Sequence, residues 1–315
     1  LRPELPRRGP AHGEVEARDD ARQDVDDFEW LCAQQRRGQD NIVARVIALL
    51  SSLGEGVPAA TINRWCASSM EAIANAATAI RAGYRDVVIA GGVESMSRVP
   101  MQGGYEHLHP ELDARYSVAN LQMGMTAETV AETYDIARAD QDAYALRSHR
   151  RAARATDHGY FEEQLVPIET PDGTLRTDEG IRRETSAAAL ADLTPVFRSD
   201  GTVTAGNSSQ ISDGAAGVML TSRAFARDAG LSELAAVGGY HVAGVDPTVM
   251  GIGPVPATRG LFAQIDAEIE TFDLVELNEA FASQTLYCRR ELEIPRDRFN
   301  VNGGAIAIGH PLGAS

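Results

Sequence analysis

Hydrophobic and polar positions alternate along the chain in two patterns, one typical of short buried strands and one typical of amphipathic helices. Strand-like apolar runs cover residues 87–90, 217–220 and 274–277. A helical period, in which apolar residues recur every three or four positions, predicts helices over residues 70–82 and 138–156. Strands that alternate with helices in this way predict an α/β protein built of stacked layers.

Two stretches lack a clear period, and we predict loops over residues 101–120 and 167–192.

The predicted helix over 138–156 has a polar face that carries four arginines, Arg147, Arg150, Arg151 and Arg154. A solvated surface is the simplest interpretation of this face. Contact with a coenzyme or with a partner is the alternative.

Cys66 lies between an apolar run and the predicted helix over 70–82. Ser68 and Ser69 are suited to cap the first turn of that helix, and Gly83 is suited to end the last turn. The unpaired N–H groups and the positive dipole at a helix start favour a thiolate, which is the nucleophilic form of cysteine. A reactive Cys66 is therefore predicted, and a buried, inert cysteine is the alternative.

His310 follows a stretch rich in alanine and glycine, and Pro311 fits the first position of a helix. Gly303, Gly304, Gly309 and Gly313 indicate close approach of the backbone to a ligand or to another element. A nucleophilic thiol needs a base, and imidazole is the usual one. Asn278 opens a further predicted helix, where it serves either as a cap or as a hydrogen-bond donor to an oxyanion.

Several segments in this order resemble the thiolase family, whose members make or cleave 3-ketoacyl-CoA by Claisen chemistry. The resemblance extends from about residue 25 to residue 315. Its segments are residues 63–70, 87–97, 201–209, 213–216, 244–247, 251–257, 278–281 and 303–315.

The resemblance implies a role for each candidate residue. Cys66 would take the acyl group as a thioester, with its backbone N–H in an oxyanion hole. His310 would accept the Cys66 proton and help hold the thioester oxygen of the second substrate. Asn278 would position a water in that second oxyanion hole. The implied contacts of the coenzyme are Arg182, Ala205, Ser209, Met123 and Phe281.

The same resemblance implies a thiolase fold, in which two similar layered α/β half-domains carry an inserted loop domain. Residues 25–97 and 198–230 would form the N-terminal half, residues 98–197 the loop domain and residues 231–315 an incomplete C-terminal half. Residues 1–24 match nothing in the family and have the composition of an unstructured segment.

The family's second reactive cysteine lies in a glycine-rich segment beyond the counterpart of His310, and the sequence given ends at Ser315. Cys288, on the helix predicted after Asn278, and Cys32, a predicted core residue, are no substitutes. We therefore expect an incomplete thiolase that acylates Cys66 at best and does not complete the Claisen step. A non-catalytic or partly active acyl-CoA-binding protein is the alternative. A ketoacyl synthase fits poorly, because it normally uses two histidines.

Gln122 stands where short-chain members usually have histidine, which favours a degradative enzyme acting on longer or bulkier acyl chains, in fatty-acid or related acyl-CoA breakdown.

The net charge of −16 argues against binding to nucleic acid or to an anionic membrane. All 29 cationic residues are arginine, which excludes a P-loop lysine and a pyridoxal Schiff base.

Three widely spaced cysteines indicate a reducing compartment, and no apolar run is long enough to span a bilayer. We therefore expect a cytoplasmic acyltransferase that takes acyl-CoA and CoA as substrates. It would hold no permanently bound cofactor and no metal, and it would form a homodimer or homotetramer.

Overall fold

The computed structural model describes residues 24–40, 42–101 and 109–315. The unstructured segment expected at residues 1–24 lies outside this part, except for Asp24. The chain forms two compact units, and each is described by itself. The first unit comprises Leu1–Met101, Ile211–Gly238 and Pro311–Ser315, and the second comprises Gln102–Gln210 and Gly239–His310.

The first unit contains a four-stranded sheet in the order β2-β1-β3-β6. Its strands are β1 (Asp27–Leu31), β2 (Ala59–Ala60), β3 (Val87–Ser95) and β6 (Asp213–Thr221). Strands β1, β2 and β3 are parallel, and β6 runs antiparallel to β3. The unit also contains the helices α1 (Val43–Leu50), α2 (Ser68–Arg81) and α7 (Arg223–Asp228). A parallel sheet with crossover helices is the expected α/β architecture.

The strands predicted at 87–90 and 217–220 are confirmed as parts of the longer strands β3 and β6. Their register runs from Val87 opposite Thr221 to Ser95 opposite Asp213. Strand β3 is apolar almost without interruption because most of its residues are buried on both faces of the sheet.

The helix predicted over 70–82 is confirmed as α2, and Gly83 follows its last turn with a left-handed φ of 74°. Ala72 and Ala76 pack in the core against β1 and β3, and Ile73 and Ile80 pack against that core. Met70, at the start of the helix, is 59% exposed.

The second unit is mainly helical and carries one short hairpin. Its helices are α3 (Pro110–Tyr116), α4 (Met123–Thr133), α5 (Arg138–Asp157), α6 (Ala187–Ala191), α8 (Pro254–Ile265), α9 (Ala282–Glu291) and α10 (Ala305–Ile308), and its hairpin strands are β4 (Ile168–Thr170) and β5 (Gly173–Leu175). Helix α5 confirms the helix predicted over 138–156. Helices α4, α5 and α9 surround a core that includes Val130, Tyr144 and Phe299.

Three expectations for this unit were wrong. The loop expected over 167–192 contains the strands β4 and β5 and the helix α6. The loop expected over 101–120 contains α3, which begins at Pro110 and is capped by the His109 side chain accepting from the Glu111 N–H. The strand predicted at 274–277 is reduced to a single parallel bridge between Val275 and Phe299. The Asn300 side-chain oxygen accepts the N–H of Leu277, which in a continuing strand would donate to a backbone carbonyl. The strand pairing therefore ends there.

No helix among the described residues is both long enough and apolar enough to cross a bilayer.

Candidate active site

Cys66 lies in a single 3₁₀ turn, Trp65–Ala67, immediately before α2. Trp65 holds a left-handed φ of 47°, which is unusual for a bulky residue. The Asn63 side chain accepts the Trp65 N–H at 2.8 Å and donates to the Ala33 carbonyl at 3.0 Å. These bonds hold the turn to the end of β1 and fix the direction of the cysteine.

Ser68 and Ser69 do not cap α2, contrary to expectation. Ala67 is the N-cap and makes no side-chain bond there. The Ser68 hydroxyl closes the cysteine turn by donating to the Trp65 carbonyl at 2.6 Å and accepting the Arg64 N–H at 2.9 Å. The Ser69 hydroxyl donates to the Gly313 carbonyl at 2.7 Å. Both serines therefore stabilise the surroundings of Cys66 instead of the helix start.

The half-buried Cys66 packs with Ala33, Met96 and Leu312. Leu312 belongs to the 3₁₀ turn Leu312–Ala314, which lies against the cysteine turn within the first unit. The glycine-rich segment that ends the given sequence is thus part of the surroundings of the thiol.

A fully buried carboxylate, that of Glu94, anchors this arrangement. It accepts the N–H groups of Ala33 at 2.8 Å, Gln34 at 3.1 Å and Gly313 at 2.9 Å. A Cβ at position 313 would lie 2.9 Å from the same carboxylate, so this position requires glycine. The close approach expected from the glycines is confirmed here.

The electrostatic expectation for Cys66 was wrong. Burial raises the pKa of the Cys66 thiol to about 11, its own backbone N–H offsets part of this rise, and the negative charge of Glu94 adds to it. For this thiol the cost of burying the anion outweighs the favourable hydrogen bond at the helix start. The resting cysteine is therefore a neutral thiol.

This pKa sets the rate at which the free protein reacts with iodoacetamide. We expect slow labelling of Cys66 near pH 7 and a rise of about tenfold per pH unit toward pH 11, because only the thiolate reacts. Burial also raises the pKa of Cys32 and of Cys288, and both are fully buried, so they should label more slowly. Peptide mapping of the labelled protein measures all three rates. A plateau of the Cys66 rate below pH 8 would contradict the raised pKa.

The second unit contains the other two catalytic candidates, and they are in contact. The Asn278 amide nitrogen lies 3.1 Å from Nε2 of His310, so the amide donates to an unprotonated ring nitrogen. His310 is 3% exposed, and burial lowers its pKa to about 4. The imidazole is therefore neutral at physiological pH and able to accept a proton.

Asn278 does not open a helix, contrary to expectation, because α9 begins four residues later at Ala282. Its neighbour Glu279, 1% exposed, fixes the segment instead. The Glu279 carboxylate accepts from Tyr144 and Ser148 at 2.6 Å each, and from Asn300 at 3.0 Å.

The same carboxylate reaches the segment that leads to His310. It accepts the N–H of Ile306, in α10, at 3.2 Å. A Cβ at Gly304 would collide with it, which explains one of the glycines. Glu279 therefore holds the segments on both sides of the Asn278–His310 contact.

A groove of about 550 Å³ in the second unit brings together two of the candidate coenzyme contacts, Arg182 and Ala205. Buried His149 also lines it, and its Nδ1 accepts the backbone N–H of Arg182 at 3.1 Å. Burial and then the nearby Arg182 charge lower the pKa of His149 to about 4, so this ring is neutral. Gln210 closes one end by donating to the Gly180 carbonyl at 2.8 Å.

The other three candidate contacts do not line this groove. Phe281 is buried in a small cluster with Ala127 and Val203, and Met123 packs against that cluster. The Ser209 N–H donates to the Ala280 carbonyl at 2.9 Å, beside Phe281. The structure therefore places these three residues together at a second location.

His149, Glu279 and Asn300 were not assigned roles from the sequence. His149 had a usable signal, because it lies four residues after Ala145 on the buried face of α5. Glu279 and Asn300 lie outside regular elements, so no period marks them as buried. Cys32 is confirmed as a core residue, and Cys288 is confirmed on the helix after Asn278. Within the described residues no group of three or more potential metal-ligating side chains occurs.

A cysteine turn at a helix start and a buried Asn–His pair are groups suited to acyl transfer through a thioester. Comparison with known proteins then gives the family. The family description "Thiolase, N-terminal domain" matches residues 15–224, and "Thiolase, C-terminal domain" matches residues 231–315.

Similar proteins support the same assignment. A 3-ketoacyl-CoA thiolase of Vibrio cholerae is 46% identical over 301 residues, covering 93% of this chain and 78% of the relative. A beta-ketoadipyl-CoA thiolase of Pseudomonas aeruginosa is 46% identical over 308 residues, covering 90% and 76%. The crystal structure of the Bacillus anthracis acetyl-CoA acetyltransferase matches with a TM-score of 0.84 and 42% identity, covering 93% and 78%. The chain belongs to the thiolase family, and the expected thiolase fold and acyltransferase class are confirmed.

Proposed function

We propose that this thiolase cleaves 3-ketoacyl-CoA by thiolysis, or runs the reverse condensation, through an acyl thioester on Cys66. The observation that carries the proposal is the contact of Asn278 with a buried, neutral His310, which immediately precedes the segment packed on the cysteine turn. The names of the relatives from Vibrio cholerae and Pseudomonas aeruginosa support the same chemistry.

Chain connectivity supports His310 as the base for Cys66. Only Pro311 separates His310 from Leu312, which packs with Cys66. Two residues of extended chain span at most about 7 Å. On this chain connectivity we propose His310 as the base that acts on the Cys66 thiol.

In the proposed first step, the Cys66 sulfur attacks the C3 carbonyl of the ketoacyl-CoA while His310 takes up the thiol proton. The bond between C2 and C3 then breaks, its electron pair moves to C2 of the departing enolate, and C2 takes up the proton held by His310 to give acetyl-CoA. The shortened acyl group remains on Cys66. In the second step, the thiol of free CoA attacks this thioester and releases the shorter acyl-CoA.

The Asn278 amide and the N–H of Cys66 are the proposed oxyanion donors. Each oxygen that becomes negative in these steps needs fixed donors nearby, and one such donor is typically worth about 3 kcal/mol. The buried Glu279 carboxylate favours this role, because it prevents the Asn278 segment from shifting as charge develops.

The coenzyme contacts are proposed on the same basis. Arg182 and Ala205 line a groove of about 550 Å³, and Arg182 supplies a charge for a phosphate. Met123, Phe281 and Ser209 form the second part of the proposed contact. The coenzyme comes and goes as a substrate, and we propose no permanently bound cofactor.

Several finer features are proposed from the family. Gln122 favours longer or bulkier acyl chains than acetoacetyl, in fatty-acid or related degradation. A cytoplasmic homodimer or homotetramer is the proposed form. The domain boundaries given above stay part of the proposal. The second family match begins at residue 231, and the first begins at residue 15, within the segment expected to lie outside the family.

A cleavage assay tests the proposed function. The 315-residue chain is mixed with CoA and either acetoacetyl-CoA or a 3-ketoacyl-CoA of medium length, and acetyl-CoA is measured over time. We expect acetyl-CoA to form in at least one equivalent per chain as Cys66 is acylated, and faster from the longer substrate. Turnover well beyond one equivalent would show that the expectation of a chain limited to acylation is wrong. Acylation of Cys66 without turnover is the result expected if the chain performs only the first step. Bound but unaltered ketoacyl-CoA would contradict the proposal and favour the non-catalytic alternative.

A further inference from the structure

Helix α5 presents four arginines on one face, at positions 147, 150, 151 and 154. These positions follow the i, i+3, i+4, i+7 spacing of a single helical stripe, which is about 10 Å long at 1.5 Å per residue. A concentrated positive stripe is unusual in a chain whose net charge is −16. The four side chains therefore form a local exception to an acidic protein.

The stripe borders a groove of about 580 Å³ between α5 and α6. Ala187 and Ala191 of α6 form the opposite wall, and Ala143 and Leu146 of α5 contribute apolar surface beside the arginines. A concave site with an apolar surface and convergent charges has the properties of a small-molecule site.

None of the four arginines of the stripe forms an ion pair within residues 24–40, 42–101 and 109–315. At longer range the charge of Glu279 favours the charged form of Arg151. Asp142 also lines the groove, but it is engaged by Arg138 at 2.7 Å and by the Asn207 amide at 3.0 Å. Four arginines therefore line the groove beside a single, already paired carboxylate.

Two of the arginines are held in place by neutral groups. The Arg147 guanidinium lies over the Tyr144 ring at 4.7 Å. Arg151 donates to the backbone carbonyls of Arg296 at 3.0 Å and Asn300 at 3.1 Å. Burial and then the charge of Arg147 lower the pKa of Arg151, so these cations repel one another. A bound anion would relieve that repulsion.

The spacing favours two anionic groups on one molecule. Arg147 and Arg151 form one i, i+4 pair, and Arg150 and Arg154 form a second. The centres of the two pairs are offset by three residues, or about 4.5 Å along the axis. Arginine pairs bind phosphate oxygens through paired N–H groups, and the long side chains of two such pairs are able to converge on neighbouring phosphates of one molecule.

We propose that this groove binds a nucleoside diphosphate, with its phosphates on the arginine stripe and its nucleoside against the alanines of α6. The site differs from the proposed coenzyme groove. Helix α6 presents Ala187 and Ala191 to the arginine groove, whereas Ala189 and Leu190 line the coenzyme groove. The ligand is either a free nucleotide or the nucleotide part of a second coenzyme molecule.

Calorimetric titration with ADP in 0.15 M salt tests the proposal. The double variant R150Q/R154Q should weaken ADP binding by about tenfold or more, since each charge-assisted hydrogen bond contributes about 1.5 kcal/mol or more. The matched control is R223Q/R227Q, which removes two exposed arginines with the same spacing from α7 and should leave the ADP affinity unchanged. Circular dichroism verifies that the variants are folded.

Two results would overturn the proposal. One is equal ADP affinity in R150Q/R154Q and the parent chain, with the loss confined to R182Q, which would place ADP in the coenzyme groove. The other is an equal loss in R223Q/R227Q, which would indicate non-specific charge. A parallel titration with CoA distinguishes the sources. If the parent chain binds two CoA molecules and R150Q/R154Q binds one, the ligand of the groove is the nucleotide part of the coenzyme. If both proteins bind one CoA molecule, the ligand is a free nucleotide.

Discussion

The substitution C66S is expected to lower the rate of acyl transfer by about 10⁴-fold or more, which corresponds to about 5.5 kcal/mol or more of activation free energy. The hydroxyl is a weaker nucleophile than the thiol, and a neutral His310 with a pKa of about 4 cannot deprotonate it effectively. Acetyl-CoA release from a 3-ketoacyl-CoA, followed by stopped-flow or quenched-flow assay, measures the effect of C66S.

The matched control for this variant is C288S. Cys288 undergoes the same exchange of sulfur for oxygen, but it is buried in α9 and donates to the Gly251 carbonyl at 3.3 Å. It should retain the parental rate once folding is verified. A C66S rate within tenfold of the parent would mean that the acyl group is carried elsewhere or transferred directly.

The substitution H310N is expected to lower the rate of Cys66 acylation by about 10²–10⁴-fold, the usual contribution of a general base. It should also change the pH dependence. Because burial lowers the pKa of His310 to about 4, the imidazole is a competent base at any pH above that value, and the parent rate should be flat between about pH 5 and 9.

The H310N protein has no such base and depends on the thiolate itself. Its acylation rate should rise about tenfold per pH unit toward pH 11, where the Cys66 thiol ionises. Parallel pH profiles of parent and variant, with folding monitored by circular dichroism, measure this difference. Parallel slopes in the two proteins would contradict a role for His310 as the base.

Local patterns predicted the regular elements well where the pattern itself decides the structure. The period over 70–82 and 138–156 identified α2 and α5, and the apolar runs at 87–90 and 217–220 identified β3 and β6. The pattern failed at 274–277, because a strand needs a partner, and the Asn300 side chain takes the Leu277 N–H instead of a backbone carbonyl. Side-chain competition of this kind carries no periodic signal.

The chemistry of the candidate site was harder to predict than its location. The helix-start argument for Cys66 considered only local dipoles, whereas its pKa is dominated by burial against Ala33, Met96 and Leu312, which come from three distant segments. Ser69 illustrates the same limit. Its position suggested a cap, but its hydroxyl donates to Gly313, 244 residues away.

The role of Glu279 also depends on distant contacts. Glu279 lies beside Asn278 but in no helix, since α9 begins only at Ala282. Its four hydrogen-bond partners come from α5, from the segment around Asn300 and from α10. The resemblance to thiolases identified the segment, and only the packed structure explains why a buried carboxylate is needed within it.

The proposed mechanism is tested most directly by finding which residue carries the acyl group. The protein is incubated with acetoacetyl-CoA without free CoA, quenched in acid, digested and mapped by mass spectrometry. If Cys66 carries the acyl group, one acetyl group is found on the peptide that contains Cys66, and the Cys32 and Cys288 peptides are unmodified. An acyl group on another residue, or acetyl-CoA release from a protein that is never acylated, would contradict the proposed mechanism.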